Sequence, residues 1–194
     1  MNGFGAKELL DCYRRGVFPM SDSREDDFLF LVEPEMRGIF PLNGLHISNS
    51  MRKFQRKTHL HITHNQDFRA TIRACADNHP DTWISHGIEA LYTVLHLRGE
   101  AHSVEVWDGE TLVGGLYGVS QGGAFFGESM VSRRTDGSKL ALAHLVDHLE
   151  RCGFTLFDTQ FITPHLASLG AVEIPRHSYR AQLQEALTHR PSFG

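Results

Sequence analysis

The chain has 194 residues, 41% of them hydrophobic and 22% charged, enough to bury a core and too apolar for a disordered tail. Nineteen basic against 23 acidic side chains leave a net charge of −4, which excludes a uniformly basic nucleic-acid binder but not a local basic patch. Three widely spaced cysteines (Cys12, Cys75, Cys152) without a CxxC pair, no apolar run longer than Phe28 to Val32 and no signal-peptide layout from Met1 to Leu10 point to a reducing, cytoplasmic location without membrane association.

Ala6 to Arg15 reads as a short helix closed by Gly16, with Pro19 barring its continuation. The polar, acidic stretch Ser21 to Asp27 separates it from Phe28 to Val32, expected to be a buried strand ended by Pro34. Asn65 to Ala76 carries a weak helical pattern. A stronger one places Ile88, Leu91, Tyr92 and Leu95 on one helix face, with Gly99 as its stop. Three strands follow. Val104 and Val106 alternate with Glu105 and Trp107 up to an Asp108-Gly109 hairpin, then come Leu112 to Val119, a Gln121-Gly122-Gly123 turn, and Ala124 to Glu128. Gly114, Gly115, Gly118 and Gly127 would weaken these strands, so a bulge or a ligand against the backbone is expected there. A long helix with Ser138 as N-cap presents Leu142, Leu145, Val146 and Leu149 and ends at Gly153, and Phe154 to Gln160 reads as a last strand. The order predicts an α+β (mixed α/β) layered fold, with a small N-terminal part over residues 1–45 and the main domain over 46–194.

Several residues stand out chemically. Asp158 and Gln160, two apart on an otherwise apolar strand, would share a face. They read either as a positioned base with its orienting amide or as a strand-end carboxylate capping the Thr163-Pro164 turn. Glu128, where the chain leaves its strand, could meet Asp158 as a cation-binding pair or simply be exposed. Arg52, Lys53, Arg56 and Lys57 form one basic helical ridge, either a track for phosphates or a solvated face. Arg134 to Lys139 imperfectly matches a pyrophosphate-holding loop, since Lys139 stands where a small residue is needed. The thirteen histidines, including His59, His61, His64, His144 and His148, fall into no metal-ligand spacing, so no metal is expected.

Six stretches together resemble the leucyl/phenylalanyl-tRNA–protein transferases: YRRGVFP (Tyr13 to Pro19), LHISNSMRKF (Leu45 to Phe54), GEAHSVEVW (Gly99 to Trp107), LVGGLYGVSQG (Leu112 to Gly122), FFGESM (Phe125 to Met130) and LASLGAVEIPR (Leu166 to Arg176). The resemblance implies an N-acetyltransferase-like (GNAT-like) domain that moves Leu, Phe or Met from aminoacyl-tRNA onto proteins beginning with Arg or Lys, marking them for degradation, with no cofactor and no DNA partner. It implies catalytic roles for Asp158, Gln160 and Glu128, with Asp158 on the attacking amine. An apolar pocket would be built from Leu116, Phe125, Gly127, Leu142, Leu145 and Phe157, and tRNA contacts would come from Arg52, Lys53, Arg56, Lys57 and Trp83. The sequence departs from the family pattern at Leu31-Val32, where a Trp-Trp pair is expected, at Thr163, where Asn is usual, and in lacking a stretch before the first helix. Phe157 narrows the expected pocket and favours Leu over Phe. Two other classes fit parts of the sequence: an acyl-CoA-dependent N-acyltransferase, disfavoured by Lys139, and a catalytically silent tRNA-binding relative, disfavoured by the intact Asp158, Gln160 and Glu128.

Overall fold

A computed structural model describes residues 4–194 apart from 27 and 79, so Asp27 of the acidic stretch and the first three residues of the N-terminal segment lie outside the described residues. Helix α1 (Ala6–Arg14) ends where Gly16 takes φ +79°, a left-handed backbone that glycine adopts without strain. Strands β1 (Phe18–Met20) and β2 (Phe30–Val32) make a two-stranded ribbon. Contrary to the sequence expectation, β2 is not buried: Phe30 is 43% and Leu31 47% exposed, because a two-stranded ribbon has only one face to pack.

The main sheet has seven strands in the order β4-β5-β6-β7-β8-β3-β9, made from β3 (Met36–Ile39), β4 (His61–His64), β5 (Ala101–Asp108), β6 (Thr111–Gln121), β7 (Ala124–Ser132), β8 (Leu156–Gln160) and β9 (Val172–Pro175). Every pairing is antiparallel except β7–β8. Strand β3 enters this sheet between β8 and β9, so a division at residue 45 cuts through one sheet rather than between two.

Helices cover both faces, which is why β5 and β6 are buried nearly end to end where alternation would suggest one wet face. One face packs α1, α3 (Phe68–Ala76), α4 (His86–Leu97) and α7 (Arg176–Ala186) through Tyr13, Ile72, Tyr92, Tyr117, Phe126 and Tyr179. The other packs α2 (Asn49–Lys57) and α5 (Gly137–Cys152) through Met51, Leu116, Phe125, Leu142, Leu145 and Phe157. A short α6 (Pro164–Ser168), capped by the Thr163 hydroxyl accepting from the Leu166 N–H at 3.2 Å, completes the chain order.

The N-cap of α5 is Asp136 at φ +65°, not Ser138, whose N–H instead donates to Ser132 Oγ at 3.1 Å. The glycines of β6 are explained by the protein itself. A register shift falls between Tyr117 and Gly118, a side chain on Gly118 would strike the Phe125 ring, and one on Gly114 would meet the Gly137 backbone at 2.6 Å.

Four histidines from β4, β5 and α5, His64, His102, His144 and His148, gather near Phe193. Its ring stacks on His102 at 4.1 Å and meets His148 at 4.6 Å and His64 at 5.7 Å, and His64 also touches His144 at 4.9 Å. Burial, with smaller contributions from neighbouring histidines, lowers His64 and His102 to about 4. Both stay neutral in the fold, while the unfolded chain takes up their protons below about 6.5. The contribution of these two imidazoles to stability should therefore be constant above about pH 6.5 and fall as pH drops from there toward 4. Thermal melts across pH 4–8 should show this loss, and His64→Gln with His102→Gln should flatten it.

Candidate active site

Strands β7 and β8 pair in parallel only from Ala124 to Phe126 against Leu156 to Asp158, and beyond that point they part. The gap holds a cavity of about 310 Å³, near the lower end of the roughly 300–1,000 Å³ usual for small-ligand pockets. Leu116, Met130, Leu142, Phe157 and Leu166 give it an apolar wall, while Glu128 and Gln160 stand at its polar end. Gly127 leaves room for the Phe157 ring, which a Cβ there would meet at 2.9 Å. Trp83, Met20 and Phe161 also line the cavity.

Glu128 is buried and fully engaged. Its Oε1 accepts from the Tyr13 hydroxyl at 2.7 Å and from Gln160 Nε2 at 2.8 Å, and its Oε2 from the Tyr92 hydroxyl at 2.9 Å. The two tyrosine hydroxyls also lie within hydrogen-bonding reach of each other, so their two protons are shared among three contacts. Burial raises Glu128 to about 7 against the lowering effect of these donors, and the Asp158 charge adds to the rise. Burial and the Glu128 charge push Tyr13, Tyr92 and Tyr117 upward, so all three stay protonated, and the first two serve Glu128 as donors.

Asp158 lies elsewhere than the sequence suggests. Its carboxylate takes Arg37 Nε at 2.9 Å on Oδ1 and Arg37 Nη2 at 2.6 Å on Oδ2, together with the Tyr179 hydroxyl at 2.5 Å. It is completely buried and does not border the cavity. Nor do Asp158 and Gln160 act as two equivalent positions of one strand face. Gln160 adopts φ +64°, its backbone N–H donates to Asp158 Oδ1 at 2.7 Å, and its amide swings to Glu128. The orienting relation expected from sequence is thus reversed: the carboxylate holds the glutamine. Glu128 and Asp158 do not touch, and Gln160 links them.

Of the expected pocket residues, Leu116, Gly127, Leu142 and Phe157 line the cavity. Phe125 and Leu145 do not. Both are fully buried, with Phe125 behind Phe157 at a ring distance of 5.7 Å and Leu145 inside the α5 core. Trp83, expected as a tRNA contact, lines this cavity. Arg52, Lys53, Arg56 and Lys57 are all exposed on α2, and none has an ion pair among the described residues, whereas most other arginines do. Leu31 borders a depression beside α1 instead of the cavity. Arg37, Tyr13, Tyr92 and Tyr179 were missed by sequence reasoning. The usable signal was that Tyr92 sits on an apolar stripe, where its hydroxyl needs a partner.

The Arg134 to Lys139 loop is internally occupied: Arg134 pairs with Asp108, Lys139 Nζ with Asp136 at 2.7 Å, and Gly137 packs against Gly114. Among the described residues no cluster of three or more His, Cys, Asp or Glu could hold a metal, and no helix is long and apolar enough to cross a membrane.

The leucyl/phenylalanyl-tRNA protein transferase family model matches residues 39–184. The chain belongs to this family. A relative of that name from Cereibacter sphaeroides is 57% identical over 185 residues, covering 95% of this chain and 86% of its own. Another, from Maricaulis maris, is 53% identical over 196 aligned positions, covering 100% and 91%. A solved structure of L-PGS from Bacillus licheniformis is similar at a TM-score of 0.42 and 14% identity, over 84% of this chain and 55% of that one.

Removing the Asp158 carboxylate strands the buried Arg37 guanidinium. Asp158→Ala should therefore destabilise the fold by about 3–5 kcal/mol, measured by denaturant unfolding, while Glu128→Gln, which keeps shape and strands no full charge, should cost much less.

Proposed function

We propose that the chain transfers leucine or phenylalanine from aminoacyl-tRNA to the amino terminus of acceptor proteins beginning with Arg or Lys. Family membership supports the reaction, and the observation that carries the mechanism is a buried, triply hydrogen-bonded carboxylate at the polar end of an apolar cavity. The carried side chain occupies the apolar wall, and Trp83 stands at the mouth for the end of the tRNA. The exposed ridge Arg52 to Lys57 tracks the acceptor-stem phosphates. A cationic acceptor N-terminus is drawn to Glu128. The domain reads as GNAT-like, a reading supported by the mixed sheet with one parallel pair that parts at the site.

The aminoacyl ester arrives already activated, so holding both substrates in line supplies most of the rate. The acceptor α-ammonium gives one proton to Glu128, whose value of about 7 suits a proton acceptor at neutral pH. The amine nitrogen then forms a bond to the ester carbonyl carbon. The carbon–oxygen bond to ribose breaks, and the ribose oxygen leaves with the amine's second proton. Gln160 fixes the Glu128 carboxylate, and Asp158 fixes Gln160. The acyl-CoA alternative lacks support, since the loop that would cradle a pyrophosphate is occupied by its own side chains. Thr163 caps α6 as an Asn could, so that departure leaves the cavity wall intact.

Purified protein with labelled leucyl-tRNA should label a peptide beginning with Arg and not one beginning with Ala. Only the carboxylate form of Glu128 accepts a proton, so the transfer rate should rise with pH through about 7. Glu128→Gln should lower it by about 10²–10⁴-fold without abolishing tRNA binding. Leucine should be preferred to phenylalanine, and Phe157→Ala should shift that ratio toward phenylalanine by roughly ten-fold. A wild-type rate for phenylalanine equal to that for leucine would refute the role given to Phe157.

A further inference from the structure

Glu128 Oε1 receives its two donors from two separate elements. Tyr13 comes from α1 and Gln160 from the end of β8. One side chain stands behind both. Arg37 of β3 donates through Nη1 to the Gly16 carbonyl at 2.9 Å, where the chain leaves the helix that carries Tyr13. Through Nε and Nη2 it grips Asp158, which in turn accepts the Gln160 N–H and holds that residue at φ +64°. The guanidinium lies between the Phe18 ring, 4.7 Å from Cζ, and the Tyr179 ring, 4.6 Å away, which fixes its plane. Phe18 leans edge-on against Phe161 at 5.6 Å, and Phe161 lines the cavity. Arg37 itself is 1% exposed and does not border the cavity.

We propose that Arg37 is a positioning residue for the transfer reaction, bracing the two hydrogen-bond donors that converge on Glu128 Oε1. The proposal rests on the transferase reading above. A side chain that only neutralised Asp158 would need neither its third contact, to Gly16, nor the two flanking rings. A lysine could supply the charge but not the planar fork with its separate directions. A left-handed, non-glycine residue at the end of a strand persists only where its surroundings hold it, and the Asp158 carboxylate fixed by Arg37 is what holds Gln160. The charged and titratable groups facing Glu128 are Tyr13 from α1, Tyr92 from α4, Tyr117 from β6 and Asp158 from β8, with Arg37 behind Asp158. The tyrosines remain protonated, so the Glu128 carboxyl is the group that titrates among the three donors it accepts from. Loosening Tyr13 and Gln160 removes bonds that favour the carboxylate, which moves its titration upward.

The test is the pH profile of leucine transfer for wild type and Arg37→Lys, with thermal melting alongside. Arg37→Lys should fold, lose about 10–100-fold in kcat, and shift the midpoint of the rate profile upward by roughly 0.5–1 pH unit, the worth of one weakened hydrogen bond to a carboxylate. A folded variant with the wild-type midpoint and kcat overturns the proposal, as does one that melts earlier yet keeps the midpoint. If Arg37→Lys does not fold, the same profile is compared between two pairs that both lack the Asp158 charge, Arg37→Gln with Asp158→Asn and Arg37→Met with Asp158→Asn. A higher midpoint in the pair with Arg37→Met, whose side chain can donate to neither Gly16 nor residue 158, supports the brace, and equal midpoints overturn it. Failure of the wild-type protein to transfer leucine would instead sink the transferase reading itself.

Discussion

Two carboxylates, Glu128 and Asp158, are buried where adjacent strands of one sheet part company, and a carboxylate taken out of water must be given donors or countercharge. The two needs are met differently. Asp158 receives a full positive charge, Arg37, in a paired arrangement with a tyrosine hydroxyl and a backbone N–H added. Glu128 receives only neutral donors, from Tyr13, Tyr92 and Gln160. Burial therefore prevails at Glu128 and brings it to about 7. Much of the architecture serves these two demands. Helices α1 and α4 deliver the tyrosines, β3 inserts between β8 and β9 to deliver the arginine, and α7 delivers Tyr179.

The same gap between strands makes the apolar cavity, so the titratable end and the greasy wall are consequences of one feature. Parallel pairing stops at Phe126 and Asp158, Gly127 yields its space to the Phe157 ring, and the register shift at Tyr117 and Gly118 adjusts the neighbouring strand. In the proposed reaction this combination is economical. The ester is activated before it arrives, leaving the protein to align two substrates and accept a proton.

Much of the fold was legible in the residues. Gly16, Gly99 and Gly153 close their helices in left-handed conformations, and the apolar stripes of α4 and α5 face the core as their spacing demanded. Periodicity failed where burial did not follow one face: β5 and β6 are covered on both sides, and β2 on neither fully. At the site, Glu128, Gln160, Leu116, Leu142 and Phe157 were readable from motif and resemblance and do border the cavity. Phe125 and Leu145 were misplaced because a motif names a position without saying whether its side chain forms the wall or supports it from behind.

The sequence by itself determined the layered α+β character, the family, the basic ridge on α2 and the choice of three polar residues, Glu128, Asp158 and Gln160, that the fold joins by hydrogen bonds. Those properties depend on local spacing and on short stretches whose order along the chain is itself the signal. Only the tertiary structure decided how these residues divide their work. Arg37 and Asp158 are 121 residues apart, Tyr13 and Glu128 115, and neither distance leaves a trace in periodicity. A buried charge takes whichever partner the fold brings to it, and that choice made Asp158 the holder of Gln160 and left Glu128 facing the cavity.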